Sequence, residues 1–177
     1  MRLFFGLSFD PPARAAFAAI QARLRRMAER GNFTAPENFH LTLAFLGEVE
    51  PARLPELFSL LRTASFPPLA LTFDRLDRFD GGIWHLDPMP SAALSGGQAG
   101  LEAALRTAGF PLEDRPYVPH LTLGRKLVLP DGSDPAGPLE KPIAAHSPGP
   151  RLFHSHREGE RLRYTPWTPR TFNGTSA

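Results

Sequence analysis

Two copies of one tetrapeptide, His-Leu-Thr-Leu, begin at His40 and His120. Each sets an imidazole and a hydroxyl two residues apart within letters typical of a strand. Residues i and i+2 of a strand share a face. His40 and Thr42 therefore point one way while Leu41 and Leu43 turn to the core, and His120 and Thr122 repeat this over Leu121 and Leu123. Side by side at the floor of a cleft, the two strands would present two imidazoles and two hydroxyls to one small volume.

Such a cage suits an oxyanion, and a phosphodiester matches its size. An unperturbed histidine titrates near pH ~6.5, so it exchanges protons around neutrality. Two of them beside one phosphate oppose each other's charge, and one loses its proton first. The pair then supplies a neutral base and a protonated acid from identical side chains, each role worth roughly 10²- to 10⁴-fold in rate. A lone strand histidine is more often a hydrogen-bonded structural residue, and threonine is a good strand former in any case. Here only two of the six histidines open an H-x-T sequence, and both continue with the same letters. That repetition favours chemistry.

Other candidates are weaker. His154 and His156 alternate on one strand and, with His85, raise the question of a metal site. No acidic cluster joins them, and H-x-H alone is a poor metal signature. A structural or surface role is expected. Tyr164 and Trp167 with Arg161 and Arg163 would make an aromatic–basic surface for RNA, although edge-strand packing is the commoner explanation. Arg25, Arg26 and Arg30 read as a solvated helix face able to guide a polyanion.

The elements that must carry the two motifs can be traced along the chain. Arg2 to Phe9 is expected as a strand. Asp10 then caps a helix with Pro11 in its first turn, and Ala13, Ala16, Phe17, Ile20, Leu24 and Met27 follow the helical period to a stop at Gly31. Phe39 to Leu46 is the first motif strand. A helix over Ala52 to Thr63 follows, then a strand from Leu69 to Phe79. Asp80, Gly81 and Gly82 turn the chain into Ile83 to Asp87, making a hairpin. Leu101 to Ala108 is helical; Gly96 and Gly97 leave its start open, since each costs about 1 kcal/mol inside a helix relative to Ala. The second motif strand enters through Pro116 and Pro119. Residues 129–138 have loop composition, and short strands are expected around Ile143 to His146 and Leu152 to His156. A last turn, REGERLRY, delivers Tyr164 and Trp167. No linker divides this order, so residues 1–177 read as one α+β domain of two halves.

Composition narrows the partners. The 177 residues are 42% hydrophobic and 21% charged, which fits a globular domain. No stretch approaches the roughly 20 apolar residues of a membrane span. The opening MRLFFGLSFD alternates like a strand and lacks the cleavage pattern of a signal peptide. Without cysteine there are no disulfides, thiolate nucleophiles or Cys-based metal sites, which accords with the cytoplasm. Lys126 and Lys141 are the only lysines among 20 basic residues. Guanidinium suits phosphate oxygens, but genome base composition explains an arginine excess equally well.

NFHLTLAFLGEV and RPYVPHLTLGRK resemble the paired H-x-T motifs of the two-histidine phosphoesterase superfamily. The closer similarity is to the bacterial LigT-like RNA 2′,3′-cyclic phosphodiesterases, also called 2′-5′ RNA ligases. RLFFGL, FDGGIWHLD and LFHSHREGERLRYTPW extend it over most of the chain, with gaps around 91–98 and 129–142. The resemblance implies a bilobal α+β fold, two pseudo-symmetric sheet-plus-helix lobes around a central cleft. It also implies hydrolysis of RNA or nucleotide 2′,3′-cyclic phosphates to 2′-phosphates without a metal or other cofactor. His40 and His120 would be catalytic, His120 as base and His40 as acid, with Thr42 and Thr122 holding the phosphate. Arg125 stands at an odd offset from His120, where the family reaches the phosphate with a basic residue; a twist or bulge is needed to turn it inward. Phe45 has the same offset from His40 and would stack on a base or pack in the core. RNA 2′-5′ ligation and non-catalytic binding of a nucleotide or RNA end are the alternatives. No membrane or obligatory protein partner is implied.

Overall fold

Asp10 does cap the first helix: its carboxylate accepts from the Ala13 N–H at 3.0 Å, with prolines at the first helical positions. The computed structural model describes residues 1–64 and 66–167, so Ser65 and the last ten residues of the expected 1–177 unit lie outside the described residues. In chain order the elements are β1 (Arg2–Leu7), α1 (Pro11–Met27), β2 (Arg30–Phe33), β3 (Leu41–Glu48), α2 (Leu54–Thr63), β4 (Leu69–Phe79) and β5 (Ile83–Pro88). Then come α3 (Ala92–Thr107), β6 (Leu121–Val128), β7 (Gly137–Ser147), β8 (Pro150–Glu158) and β9 (Arg161–Trp167). None of the described helices is long and apolar enough to cross a membrane.

The strands form one sheet in the order β7-β4-β5-β6-β3-β1-β8-β9, with β2 added on β6. Its centre is its weakest seam. The motif strands β3 and β6 run antiparallel and pair only at Leu41 and Leu121. Beyond that pair β6 takes β2 as neighbour, through Phe33–Gly124 and Asn32–Arg125. The sheet thus splits into halves of like plan, β1–α1–β3 and β5–α3–β6. Each helix crosses over: α1 packs on β6 and β7, and α3 on β3. Leu41, Leu43, Leu121 and Leu123 are all buried under these helices, which leaves the His/Thr face free.

Three expectations need correction. The chain does not stay helical to Gly31: α1 ends at Met27, Ala28 turns extended, and residues 30–33 form a short strand. Only Phe33 is apolar in that strand, so no alternation announced it; pairing with β6 creates it. The third helix begins nine residues earlier than expected. Ser91 accepts from the Leu94 N–H, and Leu94, Gln98, Leu101 and Leu105 bury a regular stripe that outweighs the glycine cost. Gly97 leaves room for the Phe66 ring, which would lie 2.8 Å from an added Cβ. β7 reaches back to Gly137, into the stretch read as loop, because β4 offers it a long partner edge.

Candidate active site

Both motif histidines are fixed by the same local bond. The His40 Nδ1–H donates to the Asn38 carbonyl at 2.7 Å, and the His120 Nδ1–H donates to the Val118 carbonyl at 2.8 Å. A carbonyl only accepts, so in each neutral ring the proton sits on Nδ1 and Nε2 carries the lone pair. Asn38 is itself tied to β9: its amide donates to the Leu162 carbonyl, and the Tyr164 N–H donates to its side-chain oxygen. The Thr42 hydroxyl donates to His40 Nε2 at 3.0 Å.

The environments of the two rings differ. His40 lies between Phe4 and Tyr164, each with its ring centroid 4.8 Å away. Gly6 makes the space, since an added Cβ would sit 3.5 Å from His40 Cδ2 and 3.1 Å from the Leu41 carbonyl. Burial pushes the His40 pKa down to about 4, and the charges of His120 and Arg125 push the same way against the Asn38 carbonyl. His120 is also held below the ordinary histidine value, mainly by burial, with the charges of His85 and Arg125 adding to it and the Val118 carbonyl and Asp87 opposing. Phe79 meets the His120 ring edge-on at 4.9 Å.

Two cavities meet between the rings. One, of about 700 Å³, is lined by His40, Thr42, Phe45, Arg125 and Tyr164, with His154 and His156 on its rim strand. The other, of about 390 Å³ and mostly apolar, is lined by His120, Phe79, Leu112, Tyr117 and Val118. Thr42 and Phe45 face both. Phe45 is exposed, not core, and the Arg2 guanidinium lies 5.1 Å over its ring. Arg125 turns into the cleft because β6 is irregular there: its register slips against β2 and β5, and Lys126 takes a φ of 55°. Thr122 stands half-buried across from His85.

His85, His154 and His156 do not converge. His154 and His156 stack on each other at 4.9 Å, while His85 is buried beside His120 on the other half. Among the described residues no group of three or more His, Cys, Asp or Glu could hold a metal ion. Arg163 pairs with Glu37 and Glu158, so it supports β9 and is not a free basic contact.

Sequence reasoning missed two buried glutamines. Gln21 on α1 donates to the Leu123 carbonyl at 2.8 Å and to the Thr34 carbonyl at 2.6 Å. Gln98 on α3 donates to the Leu43 carbonyl at 3.2 Å. Each helix thus donates to the motif strand of the opposite half, Gln98 to the Leu43 carbonyl and Gln21 to the Leu123 carbonyl, which also takes the Thr34 N–H. The signal was present: Gln21 follows Phe17 and precedes Leu24 at the offsets by which Gln98 follows Leu94 and precedes Leu101.

The family model described as LigT like Phosphoesterase matches residues 7–84. The RNA 2′,3′-cyclic phosphodiesterase of Escherichia coli K12 is 32% identical over 70% of this chain and 71% of its own length. This chain belongs to the LigT-like phosphoesterase family. A Bacillus subtilis protein of the same name is 34% identical over 59% of this chain, a match that spans only 61% of that relative. Among solved LigT-like structures, E. coli LigT complexed with 3′-AMP superposes with a TM-score of 0.81 at 28% identity, covering 94% of this chain and 95% of that one. TT0787 of Thermus thermophilus gives 0.76 at 25% identity, over 95% of this chain and 96% of that one. The E. coli protein has also been solved with ATP and with NADP+, so the fold takes nucleotides in that relative.

Proposed function

We propose that the chain is an RNA 2′,3′-cyclic phosphodiesterase that uses His40 and His120 as its acid–base pair, the two halves of residues 1–177 acting as one unit. The observation that carries this is the matched Nδ1–H bond of both rings to a backbone carbonyl two residues back, which reserves both Nε2 atoms for proton transfer, that of His40 once Thr42 turns its hydroxyl to the phosphate. A cyclic phosphate bound between the rings meets Thr42 and Thr122 at its non-bridging oxygens and Arg125 at its charge. Water attacks phosphorus and gives its proton to His120 Nε2. The P–O3′ bond breaks, and His40 Nε2–H protonates the departing 3′ oxygen, leaving a 2′-phosphate. The phosphate's negative charge offsets the burial that depresses His40 and lets it hold the proton it must give. No step calls on a metal. Phe45, exposed beside Thr42, offers its face to the terminal base, and the rest of an RNA strand is the natural occupant of the larger cavity. A cytoplasmic setting accords with the lack of cysteine.

The apolar cavity on the His120 side supports a second reading. A water nucleophile needs no such space, whereas the 5′-hydroxyl of a second nucleoside would; its attack with the same loss of O3′ makes a 2′-5′ linkage.

The test is adenosine 2′,3′-cyclic phosphate in excess EDTA. The expected product is the 2′-monophosphate, lost in His40→Ala and in His120→Ala while both variants stay folded. Tight binding with no product would instead make the chain a nucleotide-binding module.

A further inference from the structure

The two halves are unequal behind their histidines. Leu7 pairs with Leu41 as Leu86 pairs with Leu121, and one residue earlier Gly6 faces Thr42 as His85 faces Thr122. A glycine in one half thus answers to an imidazole in the other. His85 is buried, stacks on Phe79 at 4.0 Å and lies 5.4 Å from the His120 ring. Its Nδ1–H donates to the Asp87 carboxylate at 2.7 Å. Its Nε2 is sealed from solvent and has no hydrogen-bond partner among the described residues. A leucine would fill such a place without leaving a buried polar atom unpaired, so the ring needs another reason to be there.

We infer that His85, held by Asp87, is a positioning residue for His120: it walls the base from behind and sets a carboxylate one ring away from the charge that forms there. This rests on the reading of His120 as the base. When His120 takes the proton of water it becomes an imidazolium in a partly buried place. Of the charged groups that share its cavity, Glu102 is engaged by Gln98 and Arg106, and Glu113 pairs with Arg115. Arg125 on β6 and His40 on β3 oppose the new charge, and His85 would oppose it too if protonated. On β4, Asp77 is engaged by Arg75 at 3.0 Å and by the Arg78 N–H at 2.8 Å. Asp87 accepts only from His85 among the described residues, and its charge favours protonated His120. The arrangement works as a buried carboxylate works behind a catalytic histidine, through an interposed ring instead of a direct bond.

Asp87→Asn, His85→Leu and His85→Gln test it, with the titration of the His120 ring followed by NMR beside kcat and KM on adenosine 2′,3′-cyclic phosphate. In Asp87→Asn the His120 midpoint falls, the acid limb of the kcat profile moves down with it, and kcat drops about tenfold with KM little changed. His85→Leu lowers kcat as well, by removing the wall behind His120, but the His120 midpoint does not fall, because the charge of His85 that opposes protonated His120 goes with the ring. His85→Gln, whose amide can still donate to Asp87, recovers most of the loss. An unchanged His120 midpoint in Asp87→Asn, or a loss falling on KM alone, would overturn the inference. Should His85→Leu fail to fold, the other two variants, nearly isosteric, still decide it. A parent protein that turns over no cyclic phosphate would remove the proposed function, while the NMR midpoints would still judge whether Asp87 acts on His120.

Discussion

Burial of His40 links the active site to the acid stability of the whole fold. Its pKa falls from 6.5 in the unfolded chain to about 4 in the folded one, chiefly because Phe4, Tyr164 and the strands around it take the ring out of water. The unfolded chain therefore binds the proton more readily. Stability present above the unfolded value is lost as pH falls from about 6.5 towards about 4. At about 1.36 kcal/mol per unit, the full loss is roughly 3 kcal/mol, and roughly 2 kcal/mol of it is spent between about pH 7 and about pH 5. The perturbation is His40→Gln, which keeps a donor for the Asn38 carbonyl but cannot titrate. Urea unfolding, read from the buried Trp84, gives the stability of parent and variant at both pH values. The parent should lose about 2 kcal/mol more than the variant over that interval. His120, also depressed, remains in both proteins, so the difference isolates His40. Equal losses would mean that the folded His40 titrates like a free histidine, and the picture of a ring largely withdrawn from water would fail.

Further outcomes follow from single contacts. Gln21→Leu takes the donor from the Thr34 carbonyl, while the Leu123 carbonyl keeps the Thr34 N–H, and Gln98→Leu takes the donor from the Leu43 carbonyl; at about 1–3 kcal/mol for a buried group left unpaired, thermal melts should show each variant destabilised by about that amount. Gly31→Ala forces a side chain at φ 139° to within 2.7 Å of Leu127 Cα and should lower the melting temperature by several degrees, about 2 kcal/mol or more. Gly96→Ala, with nothing within 4 Å of the new methyl, should instead stabilise α3 by up to about 1 kcal/mol in the same assay. Arg125→Ala should raise KM for the cyclic nucleotide about tenfold or more, and Arg125→Lys should restore only part of it, because an ammonium cannot fork to two oxygens.

How far the sequence reaches depends on whether a feature is written locally. The cap at Asp10, the strand at Leu69–Phe79 and the inward leucines of both motifs were legible because cap, period and alternation sit within a few residues. β2 was not, since Arg30, Gly31 and Asn32 carry no pattern and become a strand only when β6 offers its edge. The start of α3 was misplaced because the glycine pair was weighed without the packing that compensates it, with Phe66 seated on Gly97.

The paired histidines belong to the primary structure, for a repeated H-x-T fixes by alternation alone which side chains share a face. Whether those faces meet does not. That was decided by one long-range contact, Leu41 against Leu121, which brings segments 80 positions apart into a single seam. The difference between the two sites is likewise tertiary. Identical tetrapeptides receive Gly6 and aromatic rings on one side, His85 and Asp87 on the other, because different strands flank them. A strand's own residues determine where its side chains point, while its neighbours determine the solvent and charge those side chains meet, and it is the second that sets a proton's affinity.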